Sequence, residues 1–188
     1  NLFSNQLEEV PSEIGNLTNL THFNLSSNQL EEVPYEIGNL TNLIYLLLYS
    51  NQLEELPSEI WNLTNLNHLL LFSNQLEEFP SEIWNLTNLI YLDLSSNQLI
   101  GFIPESVGQL TDLRWLYLHE NQLSGEIPPE IGNLTNLTFL KLNENQLKGE
   151  IPVELCNIYQ PLLQNNQLCP PYPDCGDGPI TSEEEQDT

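Results

Sequence analysis

Residues 66–76 read Leu66-Asn67-His68-Leu69-Leu70-Leu71-Phe72-Ser73-Asn74-Gln75-Leu76, the pattern L-x-x-L-x-L-x-x-N-x-L. In its L-x-L centre, alternation sends Leu69 and Leu71 to one face and His68, Leu70 and Phe72 to the other, as a short half-buried strand requires. Asn74 stands where the chain turns out of that strand. A buried Asn side chain donates to carbonyls and accepts from amides that would otherwise be left unpaired. The stretch recurs: Asn-Gln-Leu begins at Asn5, Asn28, Asn51, Asn74, Asn97, Asn121, Asn145 and Asn166, separated by 23, 23, 23, 23, 24, 24 and 21 residues. A period in this range marks a solenoid, in which each turn covers the apolar face of the one before. The strands then stack in parallel about 4.8 Å apart, and the eight Asn residues form a ladder down the stack.

Further columns follow the ladder. Pro11, Pro34, Pro57, Pro80, Pro104, Pro128 and Pro152 each stand three residues before Ile14, Ile37, Ile60, Ile83, Val107, Ile131 and Leu155. Proline suits the first position of a short helical turn, so one-turn helices are expected on the side opposite the strands. Leu17, Leu40, Leu63, Leu86, Leu110 and Leu134 then bury the return path. These columns are all used as core, which leaves none to line a cofactor pocket; no cofactor and no metal are expected.

The segments resemble the leucine-rich-repeat family, over about Leu2 to Leu168. The resemblance implies an α/β fold: a right-handed solenoid with a parallel sheet on its concave face and short helical turns or extended segments on its convex face. Residues 1–168 would form the array, with a partial first repeat, and 169–188 a cysteine-containing cap and acidic tail. The early turns read Leu-Glu-Glu-x-Pro. From Leu99 the turn gains a residue and becomes Ile100-Gly-Phe-Ile-Pro, Ser124-Gly-Glu-Ile-Pro and Lys148-Gly-Glu-Ile-Pro, similar to the plant-type subclass. The Gly of these turns can supply a positive φ, and a change of curvature or twist is expected near the fifth repeat.

With 27 acidic and three basic residues, the chain has a formal charge of -24. That repels phosphate backbones and anionic membranes, so no nucleic-acid partner is expected. No apolar run approaches the roughly 20 residues that span a bilayer, so membrane insertion is not expected. Much of the charge is periodic: Glu8 and Glu9, Glu31 and Glu32, Glu54 and Glu55, Glu77 and Glu78 follow successive strands. A solvated face explains them, with a basic partner or bound cations as the alternative. Asn1 falls inside a repeat, so a cap and export signal are expected upstream, and the open edge is a candidate for self-association.

At the other end Cys169-Pro-Pro-Tyr-Pro-Asp-Cys175 follows Leu168, and Cys156 replaces a column otherwise filled by Gly or Trp. The family resemblance implies a disulfide-stabilised cap, hence an oxidising compartment and a secreted or cell-surface location. Sequence cannot fix the connectivity; Cys169 with Cys175 is favoured over a bond from Cys156 to either. Gly176 to Thr188 read as a polar acidic tail or linker. Sequons such as Asn16, Asn39, Asn62, Asn85 and Asn133 belong to the repeated N-L-T-N-L, where Asn and Thr satisfy backbone groups in the turn.

The informative variation lies in the outward strand positions, which the repeat does not dictate. One column reads His22, Tyr45, His68, Tyr91, Trp115, Phe139; the next Asn24, Leu47, Leu70, Asp93, Tyr117, Lys141; the third Ser26, Tyr49, Phe72, Ser95, His119, Asn143. Tyr45, Leu47, Tyr49, His68, Leu70 and Phe72 are expected to form an exposed patch, extended by Tyr91, Trp115, Tyr117 and Phe139. Exposed apolar clusters mark interaction sites, and aromatic residues dominate binding hot spots; mutual packing of cross-strand neighbours is the plainer alternative. Arg114 and Lys141 are expected to pair with Asp93, Glu120 or Glu144. His22 and His68 lie two strands apart, about 9.6 Å, too far to share a metal, and no nucleophile or phosphate-binding motif is present. A non-catalytic module that binds a protein through the aromatic concave face is therefore expected, with carbohydrate binding as an alternative. An ice-binding-like array through the column Thr18, Thr41, Thr64, Thr87, Thr111, Thr135 is a third reading.

Overall fold

Six three-residue strands stack in parallel in the computed structural model, which describes residues 1–176 and 178–186. They are β1 (His22–Asn24), β2 (Tyr45–Leu47), β3 (His68–Leu70), β4 (Tyr91–Asp93), β6 (Trp115–Tyr117) and β8 (Phe139–Lys141), in the order β1-β2-β3-β4-β6-β8. Their central residues Phe23, Leu46, Leu69, Leu92, Leu116 and Leu140 face one another in register and are all buried. Beyond β8, Leu162 makes one further parallel bridge to Lys141.

A second parallel sheet was not foreseen in the sequence. It comprises β5 (Ile100–Gly101), β7 (Gln122–Gly125), β9 (Gln146–Gly149) and β10 (Gln167–Leu168), in the order β10-β9-β7-β5. It begins where the turn lengthens: Gly101, Gly125 and Gly149 have φ of 90°, 79° and 85°, which lets the chain run on extended before bending to the next Pro. In the shorter turns the same place holds the paired glutamates and no strand.

Opposite the first sheet run seven five-residue 3₁₀ helices, from Ser12–Asn16 to Val153–Asn157. The expected proline is one position earlier than the sequence suggested. Pro11, Pro34 and their counterparts are extended and lie just before the first helical residue, and each carbonyl accepts from the amide three residues on, as Pro11 O does from Ile14 N–H at 3.0 Å. The glycines at the fourth helical position bring neighbouring turns together: a Cβ on Gly38 would lie 2.5 Å from the Glu59 carbonyl oxygen. Trp61 and Trp84 fill that column in two repeats, and the helices touch less there; Trp84 is buried and stacks on Phe79. Leu40, Leu63, Leu86, Leu110 and Leu134 are buried, but Leu17, just after the first 3₁₀ helix, is 52% exposed.

The Asn column joins adjacent turns. Asn51 Nδ2 donates to Leu48 O at 2.9 Å and to Leu25 O of the preceding turn at 3.2 Å, while its Oδ1 accepts from Leu30 N–H at 3.2 Å. Asn28, Asn74, Asn97, Asn121, Asn145 and Asn166 repeat this scheme. Asn5 is exposed and bonds only within its own turn. A second set runs beside it in the N-L-T-N-L segments, where Asn was expected to satisfy backbone groups within the turn: Asn42, Asn65, Asn88 and Asn136 donate instead to the carbonyls of Thr18, Thr41, Thr64 and Thr111 of the turn before.

The cap corrects the favoured cysteine pairing. Cys156 is bonded to Cys175, their Cα atoms 5.0 Å apart, and Cys169 is free and exposed. Cys169 continues from β10, its amide bonded to Gly149 O, while the following chain brings Cys175 to the 3₁₀ helix Val153–Asn157, which contains Cys156. The segment read as a tail folds too. Ile180 packs on the core, Thr181 and Gln186 are buried, and Gln186 takes the place of the next ladder Asn: Nε2 donates to Leu163 O at 3.3 Å and Oε1 accepts from Leu168 N–H at 3.4 Å. Positions 177, 187 and 188 of that expected tail lie outside the described residues.

Candidate functional site

Because each strand is three residues long and in register, every outward position forms a straight column across the first sheet. In the first column the rings touch in sequence. His22 stacks on Tyr45 and Tyr45 on His68, both with centroids 4.4 Å apart; His68 meets Tyr91 edge-on at 6.1 Å, Tyr91 tilts against Trp115 at 5.8 Å, and Trp115 lies parallel to Phe139 at 6.5 Å. A second stack pairs Tyr49 with Phe72 at 4.4 Å, and Phe3 tilts against Tyr49. The six residues expected to be exposed, Tyr45, Leu47, Tyr49, His68, Leu70 and Phe72, are all half-buried. Where neighbours stack, as His22, Tyr45 and His68 do and as Tyr49 and Phe72 do, each ring shades the face of the next.

The sheet face changes character along the stack. Its early half is apolar, with Leu47 and Leu70 between the two ring columns. Its late half is polar: Asp93 and Ser95 are buried, with Ser95 donating through its amide and hydroxyl to Asp93 Oδ1 and Tyr91 donating to Asp93 Oδ2. Burial, then the Asp93 charge, raises the phenols of Tyr91 and Tyr117 above their ordinary value. Burial lowers the imidazoles of His68 and His119, the latter with help from Lys141.

The expected ion pairs of Arg114 and Lys141 do not form among the described residues. Lys141 instead sets its ammonium 4.4 Å from the centre of the Tyr117 ring, and Arg114, one residue before β6, is exposed beside Asp112 and Asn136. Exposed ion pairs gain little in water, whereas an ammonium over an aromatic face is attracted by the ring quadrupole. On this face His68 Nδ1, His119 Nδ1 and Asn143 Oδ1 are buried without a protein partner; nothing in the repeat pattern signals that. Among the described residues, no three His, Cys, Asp or Glu side chains converge as metal ligands, and no helix is long and apolar enough to cross a membrane.

The profile described as Leucine-rich repeat region matches residues 1–74 and 36–124, and that described as Leucine Rich Repeat matches 136–158. The chain belongs to the leucine-rich-repeat family. No curated protein matches this leucine-rich-repeat chain. It is 42% identical to a leucine-rich-repeat protein of Leptospira interrogans, with a TM-score of 0.80, covering 88% of this chain and 42% of that one. It is 36% identical to the Arabidopsis receptor kinase HAESA, solved with a peptide hormone and a co-receptor, with a TM-score of 0.78 over 85% of this chain and 28% of that one. An internalin of Listeria monocytogenes is 30% identical, with a TM-score of 0.73 over 86% and 46%. This leucine-rich-repeat chain thus spans less than half the length of each.

Proposed function

We propose that the chain is a non-catalytic binding module, acting outside the cell, that holds a protein or peptide on its first sheet through Tyr45, Leu47, Tyr49, His68, Leu70, Phe72, Tyr91, Trp115, Tyr117 and Phe139. The observation that carries this reading is the unbroken column of six rings, which the repeat pattern has no structural need to supply. Rings already stacked on their neighbours lose little side-chain freedom on binding, so their desolvation adds to affinity at small entropic cost. The resemblance to HAESA, solved with a peptide hormone, and the disulfide support a peptide or protein ligand in an oxidising setting. Face-stacked rings offer edges, which suits a peptide better than the open aromatic face a sugar ring requires. The test is binding of partners selected from a peptide library and from surface proteins. Tyr49→Ala with Phe72→Ala should weaken a selected partner by about 2 kcal/mol or more, while Glu36→Lys with Glu59→Lys on the opposite side should do much less; the reverse pattern overturns the reading.

A further inference from the structure

Between the Asn ladder and the proline column, each turn passes two outward positions that are polar in every repeat but one. Paired glutamates hold them in the early turns, from Glu8 and Glu9 to Glu77 and Glu78, and the last two turns carry Ser124 with Glu126 and Lys148 with Glu150. The turn between them has Ile100 and Phe102 there instead, 53% and 67% exposed. Neither serves the core, for Ile103 beside them fills the inward place and is buried. Their backbone is nevertheless held on both sides: Ile100 N–H donates to Glu77 O at 3.0 Å, and β5 pairs with β7. Phe102 backs on Gly125, where a Cβ would lie 3.3 Å from its own. Adjacent apolar side chains held in water on a fixed backbone are what a docking site presents before it is covered.

The neighbouring surface selects the occupant. The eight paired glutamates line a trough of about 800 Å³ whose walls also include Leu56, Leu76 and Pro80, and the hydrogen bond from Ile100 to Glu77 sets the apolar pair at its end. All eight carboxylates lie on exposed residues, and none has an ion pair among the described residues. With turns about 4.8 Å apart, the four rows span about 14 Å, the reach of about four extended residues. A second copy of this chain, with 27 acidic and three basic residues, cannot supply the cations that such a trough attracts, and an anionic surface is repelled. A short basic segment that carries an apolar side chain satisfies both parts.

We propose that Ile100 and Phe102 anchor a second docking surface, separate from the first sheet, for a lysine- or arginine-rich segment of a protein partner, with an apolar residue seated on the pair and the cations along the trough. Exposed ion pairs each gain little in water, so the apolar contact sets the affinity while the carboxylates steer the encounter and raise its rate.

The experiment is fluorescence anisotropy of a labelled peptide, acetyl-Phe-Leu-Gly-Lys-Arg-Lys-Arg-Gly-Leu-Phe-amide, titrated with the whole chain; its two apolar ends allow either direction along the trough. The comparison peptide has Ser in place of each Phe and Leu. Saturable binding is expected, weakened about tenfold or more by Ile100→Ser with Phe102→Ser, and to a like extent with the Ser peptide. Ser already stands in the Ile100 column at Ser124, and the comparison peptide needs no variant at all. Glu31→Gln, Glu54→Gln and Glu77→Gln together should also weaken binding and flatten its dependence on sodium chloride. Equal affinity for the two peptides, or an Ile100 and Phe102 variant that binds as the unaltered chain does, overturns the anchor; glutamine substitutions without effect overturn the trough. Tyr49→Ala with Phe72→Ala should leave this peptide's affinity unchanged, and its loss there would move the peptide to the first sheet and end the proposal of a separate surface.

Discussion

Asn51 and Asn74 each tie two turns together through bonds that no water can replace, since both side chains are buried. Replacing either by Ala leaves backbone groups unpaired in the core and should lower stability by about 1–3 kcal/mol. Asn5→Ala, at an exposed position with bonds only to its own turn, should leave the urea midpoint nearly unchanged. The position before each ladder Asn is also constrained: Ser27, Ser50, Ser73 and Ser96 have φ between 51° and 55°, where an L side chain is strained and glycine is not. His68 and His119 give the fold a pH dependence of definite sign. Both imidazoles are lowered in the folded state, so an unfolded chain takes up protons near pH 6.5 that the folded chain refuses. Their contribution is complete above that pH and is lost as pH falls through it. The urea midpoint should therefore drop between pH 8 and pH 6, and drop less in a variant with His68→Gln and His119→Gln; an equal drop in both would remove the two histidines as its source.

At the scale of elements, the close approach of one 3₁₀ helix to the next depends on an absent side chain. Gly38→Ala would drive a methyl group against the Glu59 backbone and should cost about 1–3 kcal/mol, whereas Ala at the Trp61 position should cost through lost packing instead. The cap adds a covalent element. Mass spectrometry of unreduced peptides should link Cys156 to Cys175 and find Cys169 alkylated, and Cys156→Ser should destabilise by about 2–4 kcal/mol. The strands, the helical turns and the Asn ladder were legible because burial repeats with the period of the chain, so each column of Leu, Pro or Asn announces its environment. The second sheet was not, since a two-residue strand such as Ile100–Gly101 carries no alternation to detect. Cysteine pairing was illegible for a different reason: it depends on where the chain goes after Leu168, which no periodic signal governs. The ring column could be read from the sequence, and its half-burial follows from the mutual packing of cross-strand neighbours that was there the alternative to free exposure. His119 and Asn143 were placed in an outward column, but their unpaired atoms could not be read there, as an unpaired atom is defined by what surrounds it.

The whole molecule is a stack of like charges held by an apolar core. Glu8, Glu31, Glu54 and Glu77 with their neighbours line one open trough along successive turns, and the chain carries -24 overall. Self-repulsion of this kind is screened within about 10 Å at 0.1 M salt, so stability should rise as sodium chloride is added from 20 to 500 mM, and replacing Glu31, Glu54 and Glu77 by Gln should flatten that rise. A stack of turns also has a direction, and the far end of this one is closed by a residue remote from the turn it completes. Gln186 supplies the rung that Leu163 and Leu168 need, and Cys175 lies between them and it in the sequence. During synthesis the earlier turns can dock one after another as they leave the ribosome, each using the Asn of the next. The last turn has to wait until residue 186 has emerged. Until residue 186 emerges, Leu163 O has only Asn166 as a side-chain donor and Leu168 N–H lacks the Gln186 acceptor, so closure of the final rung becomes a timestamp that a nascent chain cannot acquire early.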